Sequence, residues 1–219
     1  MENTENRKKT RSKTTRNVFD KKDGVKLKII NPALRKVIGD AERCGAWLIY
    51  GSEKQGKTQL ALRIAKDLSL NDRVMYISAE EGLDYSFRAN MKRAGILSGD
   101  KILWDEYIPF DELIERFKKP RTANIIIIDN LTVYEDEISK KILKQKIDEL
   151  ANKLIIFIAH EDRGVPFNAV ARMAAKWAKV TIRVKGLTGF VISRYPNGGG
   201  IISIDGETSE RMGFIADKV

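Results

Sequence analysis

Cysteine and histidine are almost missing from this 219-residue chain, with Cys44 and His160 the single examples of each. A lone thiol excludes an internal disulfide and suits a reducing compartment such as the cytoplasm. A lone imidazole argues against a histidine-based metal site. Long apolar stretches are also missing. Runs such as Ile125-Ile126-Ile127-Ile128 are strand-sized and far below the roughly 18 residues of a membrane helix. The N-terminus is polar and lacks the apolar core of a signal peptide. Acidic residues are outnumbered, 30 against 40 basic ones, which leaves a formal charge of +10 and a pI near 9.6. That balance points to an acidic partner, nucleic acid or an anionic surface. A membrane surface is the weaker candidate, because the basic N-terminal segment has no amphipathic apolar face.

The length suits one domain plus a tail. Residues 1–24 hold eight basic side chains (Arg7, Lys8, Lys9, Arg11, Lys13, Arg16, Lys21, Lys22) against four acids (Glu2, Glu5, Asp20, Asp23) and little apolar surface. Such a segment cannot bury enough to fold alone. It reads as a disordered basic arm, either touching nucleic-acid phosphates through residues such as Lys8, Lys9 and Arg11 or simply solubilising the chain. From residue 25 to 219 apolar runs alternate with helical periodicity. Strands are expected near 46–50, 73–78, 102–105, 124–129 and 153–159. Helices are expected near 32–43, 57–68, 83–93, 110–118, 138–151 and 169–178. Continuous Ile/Val/Leu strands imply a mostly parallel sheet covered by helices on both faces. Short segments near 180–184, 189–193 and 200–204, separated by glycine-rich turns, imply antiparallel strands extending that sheet.

The most informative string is Gly51-Ser52-Glu53-Lys54-Gln55-Gly56-Lys57-Thr58, a full G-x-x-x-x-G-K-T phosphate loop between an apolar strand and a helical pattern. Backbone N–H groups and the positive end of the helix dipole surround a polyphosphate in such a loop. Lys57 would reach the β- and γ-phosphates, Thr58 would ligate Mg²⁺, and Gln59 opens the helix. Asp129 ends the Ile125–Ile128 run, so it would face the same crevice and hold the metal's water shell. The next residue is Asn130, which leaves no Asp-Glu pair there. A carboxylate to activate water is instead offered by Glu80, with Glu81 in reserve, at the end of the strand near 73–78. Both could equally be the acidic start of the next helix.

A glutamate placed after that strand resembles the RecA/RadA/KaiC/DnaB group of ATPases. The string Ala79-Glu80-Glu81-Gly82-Leu83-Asp84-Tyr85-Ser86-Phe87-Arg88 is similar to the RecA pattern, and Tyr-Ile-Ser-Ala-Glu-Glu to the RadA and KaiC version. The resemblance implies an α/β P-loop NTPase fold with a RecA-like core, Glu80 as catalytic base, and Asp84 and Phe87 near adenine. Phe87 as plain helix core is the alternative. His160, after the strand near 153–159, stands where the family often has a γ-phosphate sensor, or is structural. Residues 161–168 occupy the place of a second DNA-binding loop, with Arg163 its sole cation. Arg172 and Lys176 follow as a basic face or ordinary solvated charge. Residues 191–198 resemble the Lys-x-Arg-x-Gly turn that sends an arginine into a neighbour's site; Arg194 would play that part, or be a surface strand residue.

The resemblance therefore implies a DNA-binding ATPase using ATP and Mg²⁺ at the interfaces of a homo-oligomeric ring or filament. The compact chain is similar to the single-domain recombinases of phages and mobile elements, which implies single-stranded DNA as partner, pairing or annealing as activity, and a bacterial or phage-infected cytoplasm. A hexameric helicase and a KaiC-like regulatory scaffold are the alternatives.

Overall fold

The computed structural model describes residues 12–205 and 217–218. Lys8, Lys9 and Arg11 of the expected nucleic-acid arm lie outside that range. Thr14 caps one exposed helical turn, α1 (Thr15–Phe19), which buries nothing. Phe19 is 83% exposed.

The centre is a parallel sheet of β1 (Gly45–Gly51), β2 (Val74–Ser78), β3 (Ile102–Asp105), β4 (Ile125–Asp129), β5 (Leu154–Asp162) and β7 (Val180–Lys185). The spatial order is β7-β1-β5-β4-β2-β3. Antiparallel β8 (Thr188–Ser193) and β9 (Gly200–Ser203) extend it beyond β7, and β10 (Asp217–Lys218) adds a parallel pairing to β9. A two-residue β6 (Val165–Pro166) folds back on the end of β5. Successive residues of a strand point to opposite faces. Ile125 and Ile127 thus join the layer under α2 (Pro32–Ile38), α3 (Lys57–Ser69) and α4 (Tyr85–Arg93). Ile126 and Ile128 join the layer under α5 (Phe110–Lys118), α6 (Lys140–Glu149) and α7 (Ala169–Trp177). All four are at most 1% exposed, and burial is worth about 1.5–3 kcal/mol for each such side chain. This doubly covered sheet with an antiparallel end is the expected architecture.

Three local readings need correction. The apolar spacing Leu34, Val37, Ile38, Ala41 suggests a helix to residue 43, but α2 stops at Ile38. Gly39 adopts φ +79°, and a Cβ there would meet the Pro196 carbonyl at 2.4 Å. Helix α4 begins at Tyr85 because Asp84 is its N-cap, accepting from the Phe87 N–H at 2.9 Å. Residues 161–168 do not form an open DNA-binding loop. Glu161 and Asp162 continue β5 and pair with Pro166 and Val165 in a tight hairpin.

Candidate functional site

The carboxyl ends of β1, β4 and β2 define the upper edge of the sheet, and the phosphate loop leaves β1 there. Two glycines of the loop are required by its surroundings. A Cβ at Gly51 would sit 2.3 Å from the Val184 carbonyl, and Gly56 adopts φ +99° with Leu187 2.6 Å from where its Cβ would stand. Lys54 also takes a positive φ of 57°. Ser52, Glu53 and Lys54 are exposed at the crest. The β7–β8 turn braces the loop: Gly186 N–H donates to Gln55 Oε1 at 2.7 Å and Leu187 N–H to the Gln55 carbonyl at 3.3 Å.

Behind the crest, α3 opens at Lys57. Lys57 is 8% exposed, and its ammonium donates to the Ser52 carbonyl at 2.9 Å. Burial pulls the Lys57 pKa below its ordinary value, opposed by the charges of Asp129 and Glu80. Thr58 Oγ1 donates to Asp129 Oδ2 at 2.9 Å, and Tyr76, buried on β2, donates its phenol to the same oxygen at 2.7 Å. Burial lifts the Asp129 carboxyl from 3.8 to about 6 in spite of those two hydrogen bonds. Asp129 and Thr58 therefore form a pair poised for a cation's charge.

Glu80 stands after β2, where β2 and β4 are adjacent and Ser78 pairs with Asp129. Its Oε2 accepts from Asn130 Nδ2 at 3.0 Å. The Asn130 amide orientation is fixed because its Oδ1 accepts from Thr132 N–H and Oγ1 at 3.0 and 2.9 Å. Glu80 Oε1 lies 3.2 Å from His160 Nε2. A carboxylate accepts only, so Nε2 carries the proton and a neutral ring leaves Nδ1 as a bare acceptor. That Nδ1 is buried without a hydrogen bond, as are both amide atoms of Gln59. Glu81 lies beside them, its pKa raised first by burial and then by Glu80 and Asp84.

These groups line one cleft of about 970 Å³, into which Lys57, Thr58, Asp129, Glu80, Gln59 and His160 all face. Its size is that of a cofactor site. Magnesium and a triphosphate fit the residues present. Orphaned polar atoms of Gln59 and His160 await partners, and Thr58 and Asp129 supply hard oxygen donors. No cluster of three or more His, Cys, Asp or Glu suited to a metal exists among the described residues, so a cation here would share its shell with phosphate oxygens and water.

Other expected site residues go elsewhere. Phe87 is fully buried, packed against Tyr76 and Trp104 with ring centroids 5.7 and 5.8 Å away; it cannot stack on a base. Asp84 is engaged as a helix cap, also accepting from Ser86 Oγ at 2.8 Å. Arg172 donates to the Pro166 and Phe167 carbonyls at 3.1 and 2.8 Å, which fastens the hairpin to α7. Arg163 is at the hairpin tip, whereas Lys176 is near the other end of α7, so the three form no common basic face. Arg194 is far from its own chain's cleft. Antiparallel pairing sets Ser193 opposite Val180, which puts Arg194 at the lower edge, where its guanidinium donates to the Lys176 carbonyl at 2.7 Å. Arg183 on β7 is locked to Glu161 by two contacts of 2.7 and 2.9 Å. Sequence reading gave no role to Tyr76, Asn130 or the bracing Leu187. A tyrosine inside an aliphatic strand was the one visible signal.

The sequence profile of the iSTAND family, described as inactive STAND, matches residues 29–167. That is well over half of the chain. The chain belongs to the iSTAND family. Among solved structures, it is similar to the flagellar accessory protein FlaH from Methanocaldococcus jannaschii, at 17% identity with a TM-score of 0.59. The similarity spans 84% of this chain and 96% of FlaH, and it shows a shared RecA-like fold. A search of curated protein sequences finds no match. This iSTAND chain thus carries a P-loop NTPase-type fold, and no helix among its described residues is long and apolar enough to cross a membrane.

Proposed function

We propose that this iSTAND chain binds magnesium–ATP in the upper cleft and hydrolyses it, with Glu80 as general base. The observation that carries the reading is the convergence of Lys57 and Thr58 from α3, Asp129 from β4 and Glu80 from the segment after β2 on one cleft. Lys57 exchanges the Ser52 carbonyl for a phosphate oxygen, and loop N–H groups at the α3 N-terminus hold the rest of the polyphosphate. Thr58 and Asp129 hold the metal, which when bound neutralises phosphate charge. Glu80 accepts a proton from water, and Asn130 and His160 fix the direction in which its carboxylate points. Pairing, annealing and unwinding of DNA draw no support from this cleft.

A second reading is favoured by one observation and accords with the family's description: both Glu80 oxygens are already engaged, one by Asn130 Nδ2 and one by His160 Nε2. A carboxylate so held would let the chain bind nucleotide as a regulator without turning it over. Phosphate release and fluorescent-ATP binding by wild type and Glu80→Gln separate the two. Hydrolysis requires equal binding by both proteins and a rate roughly 10²–10⁴-fold lower in the variant. Equal binding with equal, background-level rates supports the regulator instead. Absence of binding by wild type overturns both.

A further inference from the structure

We propose that a second, basic cleft on the opposite edge of the sheet binds the phosphate backbone of a nucleic-acid strand. This cleft, of about 760 Å³, runs along the amino ends of β2, β3, β4 and β5. The residue just before each of those strands faces it: Arg73, Lys101, Asn124 and Lys153. The segment between α5 and β4 adds Lys118, Lys119 and Arg121, which gives six cations (Arg73, Lys101, Lys118, Lys119, Arg121, Lys153) against two acids, Asp72 and Glu149.

Both acids are already neutralised. Asp72 contacts the Arg43 guanidinium at 2.6 Å and accepts from Asn124 Nδ2 at 2.9 Å, which helps hold its carboxyl below the usual range. Glu149 pairs with Lys118 at 2.7 Å. Lys153 is 7% exposed and donates to Thr122 Oγ1 and the Ala123 carbonyl at 2.9 and 2.6 Å, so it fixes the floor. Arg73 donates to the Arg121 carbonyl at 2.5 Å. Lys101, Lys119 and Arg121 are exposed and show no side-chain hydrogen bond or ion pair among the described residues. Three charged heads thus line a recess with nothing to neutralise them.

The shape selects the ligand. Four strands at about 4.8 Å spacing spread these cations over about 14 Å, the length of about four nucleotides at 3.4 Å per strand residue. A single small anion would leave most of that span unfilled. An anionic membrane would need a large apolar anchor, but the cleft's large apolar side chains, Phe117 and Leu150, are only 1% and 2% exposed. With no exposed ring for a base to stack on, contact falls on phosphates, and binding is insensitive to sequence and sensitive to salt. The inference is independent of the ATP reading, since the two clefts occupy opposite ends of the strands.

The test is fluorescence anisotropy of a labelled 20-nucleotide single strand with the full chain across 50–200 mM salt. Lys101→Glu/Lys119→Glu/Arg121→Glu should weaken binding at least tenfold and flatten the log–log salt slope by about 2, at roughly 0.7 per lost phosphate contact. Arg163→Glu/Lys176→Glu should stay within twofold of wild type. Fluorescent-ATP binding should be unchanged in both, which separates failure here from failure of the upper cleft. The milder Lys101→Gln/Lys119→Gln, expected to lose threefold or more, serves if the triple variant does not fold. Wild-type affinity in both lower-cleft variants overturns the proposal, as does a wild type that binds phosphatidylserine vesicles but no oligonucleotide.

Discussion

Replacing Asp129 by asparagine should make the ligand-free protein more stable while abolishing its response to magnesium–ATP. The folded chain holds this carboxyl at about 6 instead of 3.8, so between those values the native state binds more protons than the unfolded one. Stability contributed by the group therefore falls as pH rises through that window, and the full cost is present above it. A gap of about 2.2 units at 1.36 kcal/mol each amounts to about 3 kcal/mol at pH 7.5. Asparagine keeps an Oδ1 acceptor for the Thr58 and Tyr76 hydroxyls and removes the charge. The variant's melting temperature should rise by about 6–12 °C at pH 7.5, at 2–4 °C per kcal/mol for a chain of this size. The gain should shrink to roughly half at pH 5 and to little at pH 4, as wild type takes up the proton itself. Magnesium–ATP should raise the wild-type midpoint by mass action and leave the variant's in place. Differential scanning fluorimetry reads all of this. A variant that melts below wild type at pH 7.5, or a gain that grows on acidification, would refute the reasoning.

Two further substitutions probe residues that sequence and structure place differently. Phe87→Ala removes a fully buried ring of the Tyr76–Phe87–Trp104 cluster and should cost about 3–5 kcal/mol in urea unfolding, with ATP affinity of the folded protein unchanged; lost affinity at unaltered stability would return Phe87 to the base. Arg194→Ala should leave ATP turnover within twofold of wild type. A tenfold fall, recovered on mixing with Lys57→Ala chains, would instead demonstrate an arginine supplied between subunits.

Much of the fold was legible because few physical solutions suit its strands. Four consecutive isoleucines can be dry on both faces only inside a covered sheet, and the phosphate-loop spacing admits one order of strand, turn and helix. Asp129 and Glu80 were legible for the same reason, since each ends a strand whose direction the loop had already set. What failed were residues whose sequence environment serves two purposes equally well. An aspartate three residues before a phenylalanine reads alike as a base-binding pair and as an N-cap leading into the core; only burial tells them apart. Arg172 and Lys176 share a helix, yet one guanidinium is tied to carbonyls of the preceding hairpin. The lower cleft was invisible because Arg73, Lys101, Lys119 and Lys153 are scattered over some eighty positions, and sheet register alone aligns them.

The brace on the phosphate loop ties together parts of the chain that are remote in sequence. Gln55 and Gly186 are 131 positions apart, and the neighbouring Leu187 presses on Gly56. The stiffness of the nucleotide seat is thus set jointly by the motif and by a turn far along the chain, and grafting the former without the latter would transplant a word without its grammar.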